Sequence, residues 1–301
     1  MNYTLSPKRY ALTMGWLYPD LMSTYGDRGN ILVLQKRCMW RGIDVTILPI
    51  TEQTNNQELI TIDLLFGGGA QDVEQAIVMK DLRSKGKDIK NLIENDIPAL
   101  FVCGSPQLMG LSYEPSVGEK IEGLGIFDMV SKHPGPDAKR LIGNTVGKVY
   151  WENLQTTQPH SSSPSRGEER GEGMSPSSFS SHPHPYPSPL QGEGHMQSYF
   201  IVGFENHGGR TILGSNAKPF AKVIKGHGNN GEDGEEGVVY KHAIGCYYHG
   251  PLLPKNPHIA DWLIKTALEV KYKESIELPL LDDTLEHQAL EAIAKRLGVR
   301  I

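Results

Sequence analysis

The stretch "PALFVCGSPQLMG", residues 98–110, ends an apolar run on Cys103 and passes through Gly104, Ser105 and Pro106 into a helix-like pattern. A thiol at such a strand end is carried on a sharp turn out of the carboxyl edge of a sheet, where open α/β folds bind their ligands. The free N–H groups and dipole of the following helix favour a thiolate and a developing oxyanion. Gly104 permits unusual backbone angles and Pro106 suits a helix start, and the esterase nucleophile elbow uses the same geometry with serine. The competing assignment is inert packing, because cysteine is among the most buried residue types. On this stretch alone the two assignments stand level.

A second stretch, "LLFGGGAQDVEQ", sets Gly67, Gly68 and Gly69 directly after a buried run. Consecutive glycines let a backbone N–H approach a substrate, as an oxyanion hole requires, and one such donor is worth on the order of 10²–10³ in rate. A plain strand-to-helix loop seldom needs three. A nucleophilic thiol also needs a base. Of the eleven histidines, His249 in "AIGCYYHGPLLPKNP" is best placed, ending a β-rich run before Gly-Pro. His207, in the Gly-rich turn "GFENHGG", is its rival.

These residues need elements to hold them. "YALTMGWLY" (10–18), "DVTILPI" (44–50), "IDLLF" (62–66) and "PALFVC" read as strands. "GNILVLQKRCMWRG" (29–42) and the run from Ala70 to Asp96 read as helices, the second interrupted at Gly86. Apolar strands alternating with helices indicate an α/β fold, a mostly parallel sheet flanked by helices. From about residue 140, strands joined by Gly- and Asn-rich turns either extend that sheet or add a smaller antiparallel layer. Helices are expected again at 257–272 and within 282–301.

At 301 residues the chain can bury a sizeable core, and it reads as one domain over 1–301. Its net charge of −5 points away from a general polyanion binder. Three cysteines, Cys38, Cys103 and Cys246, without a CxxC pair, argue against a disulfide framework or a structural zinc site. No apolar run is long enough to span a bilayer, and the first twenty residues lack a signal peptide's pattern, so a cytoplasmic protein is expected. Residues 156–196 are rich in Ser, Pro, Gly and His with almost no aliphatic side chains. Such a composition cannot bury enough apolar surface to offset its ordering entropy, and it reads as a disordered insert between neighbouring strands.

Cys103 with Gln107 and Leu108, the glycine triplet and "YYHGPLLPKNP" together resemble the class I glutamine amidotransferases, in their cobyric-acid-synthase-like branch. Within that branch "YPDLMSTYGDRGN", "FGGGAQDVEQ", "GFENHGGRT" and "GCYYHGPLLPKNP" look most like the glutaminase subunits of lipid II isoglutaminyl synthase (GatD type). The resemblance implies a flavodoxin-like amidotransferase fold and a glutaminase. Cys103 would attack the glutamine amide, His249 would carry the protons, and N–H groups at Gly68, Gly69 and Gly104 would stabilise the oxyanion. It also implies that Arg140, in "AKRLIGN", holds the substrate α-carboxylate, which a guanidinium can bind bidentately. Ammonia would pass to a Mur-ligase-like ATPase subunit (MurT type) that amidates D-glutamate of lipid II. ATP and Mg are then expected in the partner and no cofactor in this subunit; the complex would bring it to the inner membrane surface.

Three positions depart from the pattern. Phe101 stands where many relatives have Gly, and Ser105-Pro106 stand where Gly-Tyr is common. His249-Gly250-Pro251 lacks the Pro-Glu whose carboxylate orients the imidazole. Either a Cys-His dyad suffices, or a distant group such as Asn256 or Glu205 helps. Two other functions compete: a stand-alone cysteine hydrolase, which would turn over without a partner, and a scaffold in which Cys103 is only a core residue. A corrinoid-type synthase would carry its ATP site on the same chain, and no GxxxxGK[ST] loop is present.

The insert gives the first expectation. A deletion joining Gln155 to Gln197 should leave the melting temperature and glutaminase turnover near wild type; a large fall in melting temperature would show that the segment packs.

Overall fold

A computed structural model describes residues 9–135, 137–154 and 199–301. The insert at 156–196, and the expectation attached to it, lie outside the described residues. The chain runs β1 (Ala11–Leu17), α1 (Arg28–Trp40), β2 (Asp44–Ile50), α2 (Asn56–Leu59), β3 (Leu64–Gly67), α3 (Asp72–Glu94), β4 (Ala99–Val102) and α4 (Gly104–Met109). Then follow β5 (Ser112–Glu114), β6 (Ile121–Glu122), β7 (Met129–Lys132), β8 (Leu141–Val149), α5 (Trp151–Leu154), β9 (Phe200–His207) and β10 (Arg210–Leu213). The last elements are β11 (Ala221–Lys225), β12 (Glu235–Glu236), β13 (Val238–Tyr240), β14 (Ala243–Cys246), α6 (Pro257–Tyr272) and α7 (Thr284–Arg296).

The main sheet has the order β13-β14-β4-β3-β1-β2, with every pair parallel except β13 on β14. Its inner strands can be almost wholly apolar because both faces are covered. Side chains alternate between the faces. Leu12 and Met14 of β1, Leu64 and Phe66 of β3, and Leu100 and Val102 of β4 pack in one layer with α1 and α6. Leu17, Leu65, Ala99 and Phe101 pack in the other layer with α3. A fully buried Leu, Ile or Phe is worth roughly 1.5–3 kcal/mol, so four-residue strands suffice here.

Helix α3 buries Val78, Met79, Leu82, Gly86, Ile89 and Ile93 at helical spacing and runs unbroken through Gly86, where an interruption was expected. Helix geometry tolerates the glycine, and tertiary packing uses it: a Cβ there would stand 2.7 Å from Leu124 Cδ2. The strands after residue 140 do both things foreseen for them. β13 and β14 extend the main sheet, while β12-β11-β8-β9 form a second, antiparallel sheet and β10-β7-β5-β6 a third. The short strands β5 to β7 had no counterpart in the sequence reading. Helix α7 covers the antiparallel sheet, setting Leu290 and Ala294 on Val146 and Val202. The buried Arg37 binds Asp261 of α6 and Asp283 at the start of α7, tying both helices to α1. Among the described residues no helix is long and apolar enough to cross a membrane.

Candidate active site

Cys103 follows the last residue of β4 and caps α4, with φ +55° and ψ −98°. For a residue with a Cβ this is a strained conformation, of the kind that persists only where the surroundings over-determine it. Its N–H is held by Cys246 O at 2.7 Å, so the neighbouring strand keeps the turn in place. The side chain is 9 % exposed and lines a cleft of about 430 Å³. The two positions where this elbow departs from the family pattern are both accounted for. Phe101 packs edge-on against Phe127 in the core, and the Ser105 hydroxyl donates to Gly68 O at 2.6 Å.

His249 lies three residues beyond Cys246, the end of β14, and its backbone pairs both ways with Phe204 of β9. Its ring Nδ1 is 3.2 Å from each carboxylate oxygen of Asp27. Both side chains are fully buried. Asp27 Oδ2 also accepts the Gly69 N–H at 2.6 Å. Thus a carboxylate orients the imidazole after all, and it is neither of the two candidates named from the sequence. Glu205 is occupied by the N–H groups of His227 and Gly228, and Asn256 by the backbone of Val202 and Leu252. The supply of Asp27 explains the missing Pro-Glu. Pro251 sits where a Cβ on Gly29 would be, 2.4 Å from its Cγ, and Leu253 N donates to Asn30 Oδ1. The start of α1, with Asp27 as its N-cap, therefore docks along the segment after His249, and the carboxylate arrives from there instead of from two residues downstream of the histidine.

The glycines are needed for space. A Cβ on Gly69 would stand 2.7 Å from His249 Cε1, 3.0 Å from Asp27 Oδ2 and 3.3 Å from Cys103 Cβ. One on Gly68 would stand 2.3 Å from Met22 O. Gly69 was expected to offer its N–H to an oxyanion, but that N–H is committed to Asp27. Gly104 is different: as the first residue of α4 it has an N–H without an intrahelical partner, and it faces the Ala70 peptide, whose N would lie 2.8 Å from an added Cβ.

Arg140 lines the same cleft as Cys103. Its Nε and Nη2 donate to Asn206 Oδ1 and O at 2.8 and 2.7 Å, which steadies the guanidinium at the rim. His207 also lines the cleft, buried and stacked on Tyr247 with ring centroids 3.7 Å apart. Its Nδ1 is 2.8 Å from Gly209 O.

The two histidines sit in opposite electrostatic settings. For His249, burial opposes a charge, but the Cys103 sulfur and the Asp27 carboxylate outweigh it and push the ring up to about 10. For His207, burial dominates, helped by Arg210, and pushes the ring down to about 3. Folding thus disfavours a proton on His207 and favours one on His249. Cys38 and Cys246 are buried thiols that burial drives upward, Cys38 to about 12; they behave as packing residues. Among the described residues no group of His, Cys, Asp and Glu could hold a metal ion.

Residues 13–257 match the CobB/CobQ-like glutamine amidotransferase domain. The chain belongs to that family. The GatD subunit of the glutamine-hydrolysing lipid II isoglutaminyl synthase of Streptococcus pneumoniae is 35 % identical over 282 residues, covering 94 % of this chain and 90 % of that protein. The same subunit of Staphylococcus aureus is 32 % identical over 287 residues, covering 95 % and 96 %. A probable cobyric acid synthase of Methanothermobacter thermautotrophicus is 26 % identical over 211 residues, 64 % of this chain but 34 % of its own length.

The Asp27–His249 contact is directly testable. Asp27→Asn keeps the shape and removes the charge, so the His249 titration midpoint should fall from about 10 by roughly one unit or more. A proton held more tightly in the folded state stabilises fully below the ordinary value of 6.5 and is lost as pH rises through about 10. The variant should therefore lose stability chiefly below that upper limit, with the difference fading in strong alkali. An unchanged His249 midpoint, read by NMR of the ring, would mean that Asp27 does not set the charge.

Proposed function

We propose that the chain is the glutamine-hydrolysing subunit of a lipid II isoglutaminyl synthase, acting through a Cys103–His249–Asp27 relay. The observation that carries this reading is the convergence of Cys103, His249 and Asp27 on Gly69 beside a cleft that Arg140 also lines. The near full-length likeness to two GatD subunits supports the choice of substrate system. In the cobyric acid synthase the matched region is a minor part of a longer protein, which makes the corrinoid alternative the weaker one.

In the proposed reaction the Cys103 thiolate attacks the side-chain amide carbon of glutamine. Arg140 receives the substrate α-carboxylate in a bidentate pair. Negative charge gathers on the amide oxygen, where the Gly104 N–H and the facing Ala70 N–H stabilise it; Gly68 and Gly69 act as spacers. The His249 imidazolium donates its Nε2 proton to the nitrogen, the C–N bond breaks, and ammonia leaves a γ-glutamyl thioester. Neutral His249 then takes a proton from water as the water attacks the thioester. Glutamate departs, and the thiolate and imidazolium are restored. Asp27 holds the ring tautomer and offsets its charge throughout. Ammonia passes to a Mur-ligase-like ATPase partner of the MurT type, which holds ATP and Mg and amidates D-glutamate of lipid II.

Two variants test this. Cys103→Ala should abolish ammonia release from glutamine with an unchanged circular dichroism spectrum; residual turnover above a few per cent removes Cys103 from the role. Arg140→Ala should lower glutamine-dependent amidation of a lipid-linked peptidoglycan precursor by the assembled complex, and high ammonium should restore it. If ammonium supports the wild-type complex but not the variant, Arg140 serves the fold or the partner. A chain that turns over glutamine yet never binds such an ATPase is a stand-alone hydrolase.

A further inference from the structure

The segment that delivers His249 leaves its sheet before it reaches the site. β14 pairs with β13 only as far as Gly245 opposite Val238. Gly237, at φ +67°, turns the chain away from the ladder at that point. The next free amide, Tyr247 N–H, is captured instead by the carboxyl of Glu236 at 2.6 Å. Glu236 is fully buried, and its Oε2 has no hydrogen-bond partner among the described residues. Burial pushes this carboxyl up to about 8, with Glu205 and Asp233 adding to the shift and Tyr247 N–H and His249 opposing it. Burial thus favours the uncharged acid, and its Oε1 serves as the acceptor.

Tyr247 is a junction. Its ring stacks on His207, and its hydroxyl accepts from Gln107 Nε2 at 3.1 Å and lies 2.6 Å from Thr211 Oγ1. Gln107 belongs to the nucleophile helix α4. Its Oε1 accepts from Gln75 Nε2, which also donates to Ala70 O in the glycine loop. One buried polar chain therefore joins the segment carrying His249, the helix that begins after Cys103 and the loop that faces Gly104. Glu236 is the group that fastens the backbone end of that chain. Nothing in the hydrolytic steps requires it to touch the substrate.

We propose that Glu236 is a positioning residue for amide hydrolysis: by holding Tyr247 N–H it fixes where the His249 segment leaves the sheet, and with it the ring relative to Cys103. The inference rests on the Cys103–His249 reading above. Misplacement of a catalytic group by about 1 Å can cost on the order of 10² in rate, so the effect belongs in kcat and not in glutamine binding.

The test uses the full chain, measuring glutamine hydrolysis, alkylation of Cys103 by a glutamine-analogue chloroketone, and thermal unfolding. Glu236→Gln keeps an acceptor oxygen at the same reach and should hold kcat within about threefold of wild type, whereas Glu236→Leu should lower kcat and the limiting alkylation rate by about tenfold or more with KM changed by less than about twofold. If the leucine variant does not fold, Glu236→Asp, one methylene shorter, should show the same kcat loss. Equal impairment of the glutamine and leucine variants overturns the proposal, as does a loss confined to KM. Full activity of Glu236→Leu beside a dead Cys103→Ala overturns this inference alone; an active Cys103→Ala overturns the parent reading as well.

Discussion

A carboxylate with no solvent contact must be compensated by hydrogen bonds and opposite charge, since an isolated buried charge is prohibitively costly. Asp27 meets that demand with the Gly69 N–H and the His249 ring. The same two contacts bind the turn before α1 to the glycine loop and to the segment after β14. Removing Asp27 would leave both the Gly69 N–H and the His249 Nδ1 without these partners. The close packing around Gly69 follows from this, because three groups must converge where no side chain can stand. Pro251 over Gly29 and Leu253 N–H on Asn30 extend the dock along the chain. The site is thus one interlocked contact among three segments far apart in sequence, resting on a parallel sheet.

That sheet explains the placement. β1, β3, β4 and β14 are mutually parallel, and each delivers its part at its carboxyl end, where α/β folds collect ligands. β1 leads to the turn with Asp27, β3 to the glycine loop, β4 to Cys103 and β14 toward His249. The antiparallel strands supply the opposite wall: Arg140 stands just before β8, and Asn206 and His207 close β9. Cys103 and the His249 segment follow strands of the main sheet, while Arg140 stands beside the added layer at the rim.

Much of this was legible in residues 98–110 and 64–75, because an apolar strand ending on Cys-Gly or Gly-Gly-Gly announces a local turn. The helix over 257–272 was legible to the residue, as its pattern and Pro257 are local signals too. Asp27 was not. It lies inside "YGDRGN", a stretch that carried the family likeness, yet its partner is 222 positions away, and no spacing rule reaches that far. The commitment of the Gly69 N–H was hidden for the same reason. Gly86 misled in the other direction, since helix propensity marks a break where Leu124 in fact fills the gap. The strands between 112 and 132 are too short and too mixed in polarity to rise above the turns around them.

The two histidines show how one fold can favour a proton on one buried ring and disfavour it on another. They share a buried setting and differ in what faces the ring. His207 has a carbonyl at Nδ1, an aromatic plane against its face and arginines nearby, so folding expels its proton. His249 has a carboxylate at Nδ1 and the Cys103 sulfur nearby, and both favour its proton, so folding captures one. The linkage signs are opposite. His207 contributes stability above its ordinary value of 6.5 that is lost as pH falls toward about 3. His249 contributes stability below 6.5 that is lost as pH rises through about 10. Between those limits both rings hold their assigned states, and separating two chemically identical groups by their surroundings is how a fold assigns acid and base roles. Protonating His207 would place a cation in a site already faced by Arg140 and Arg210. At His249 the Asp27 carboxylate stands against the ring and favours the proton instead.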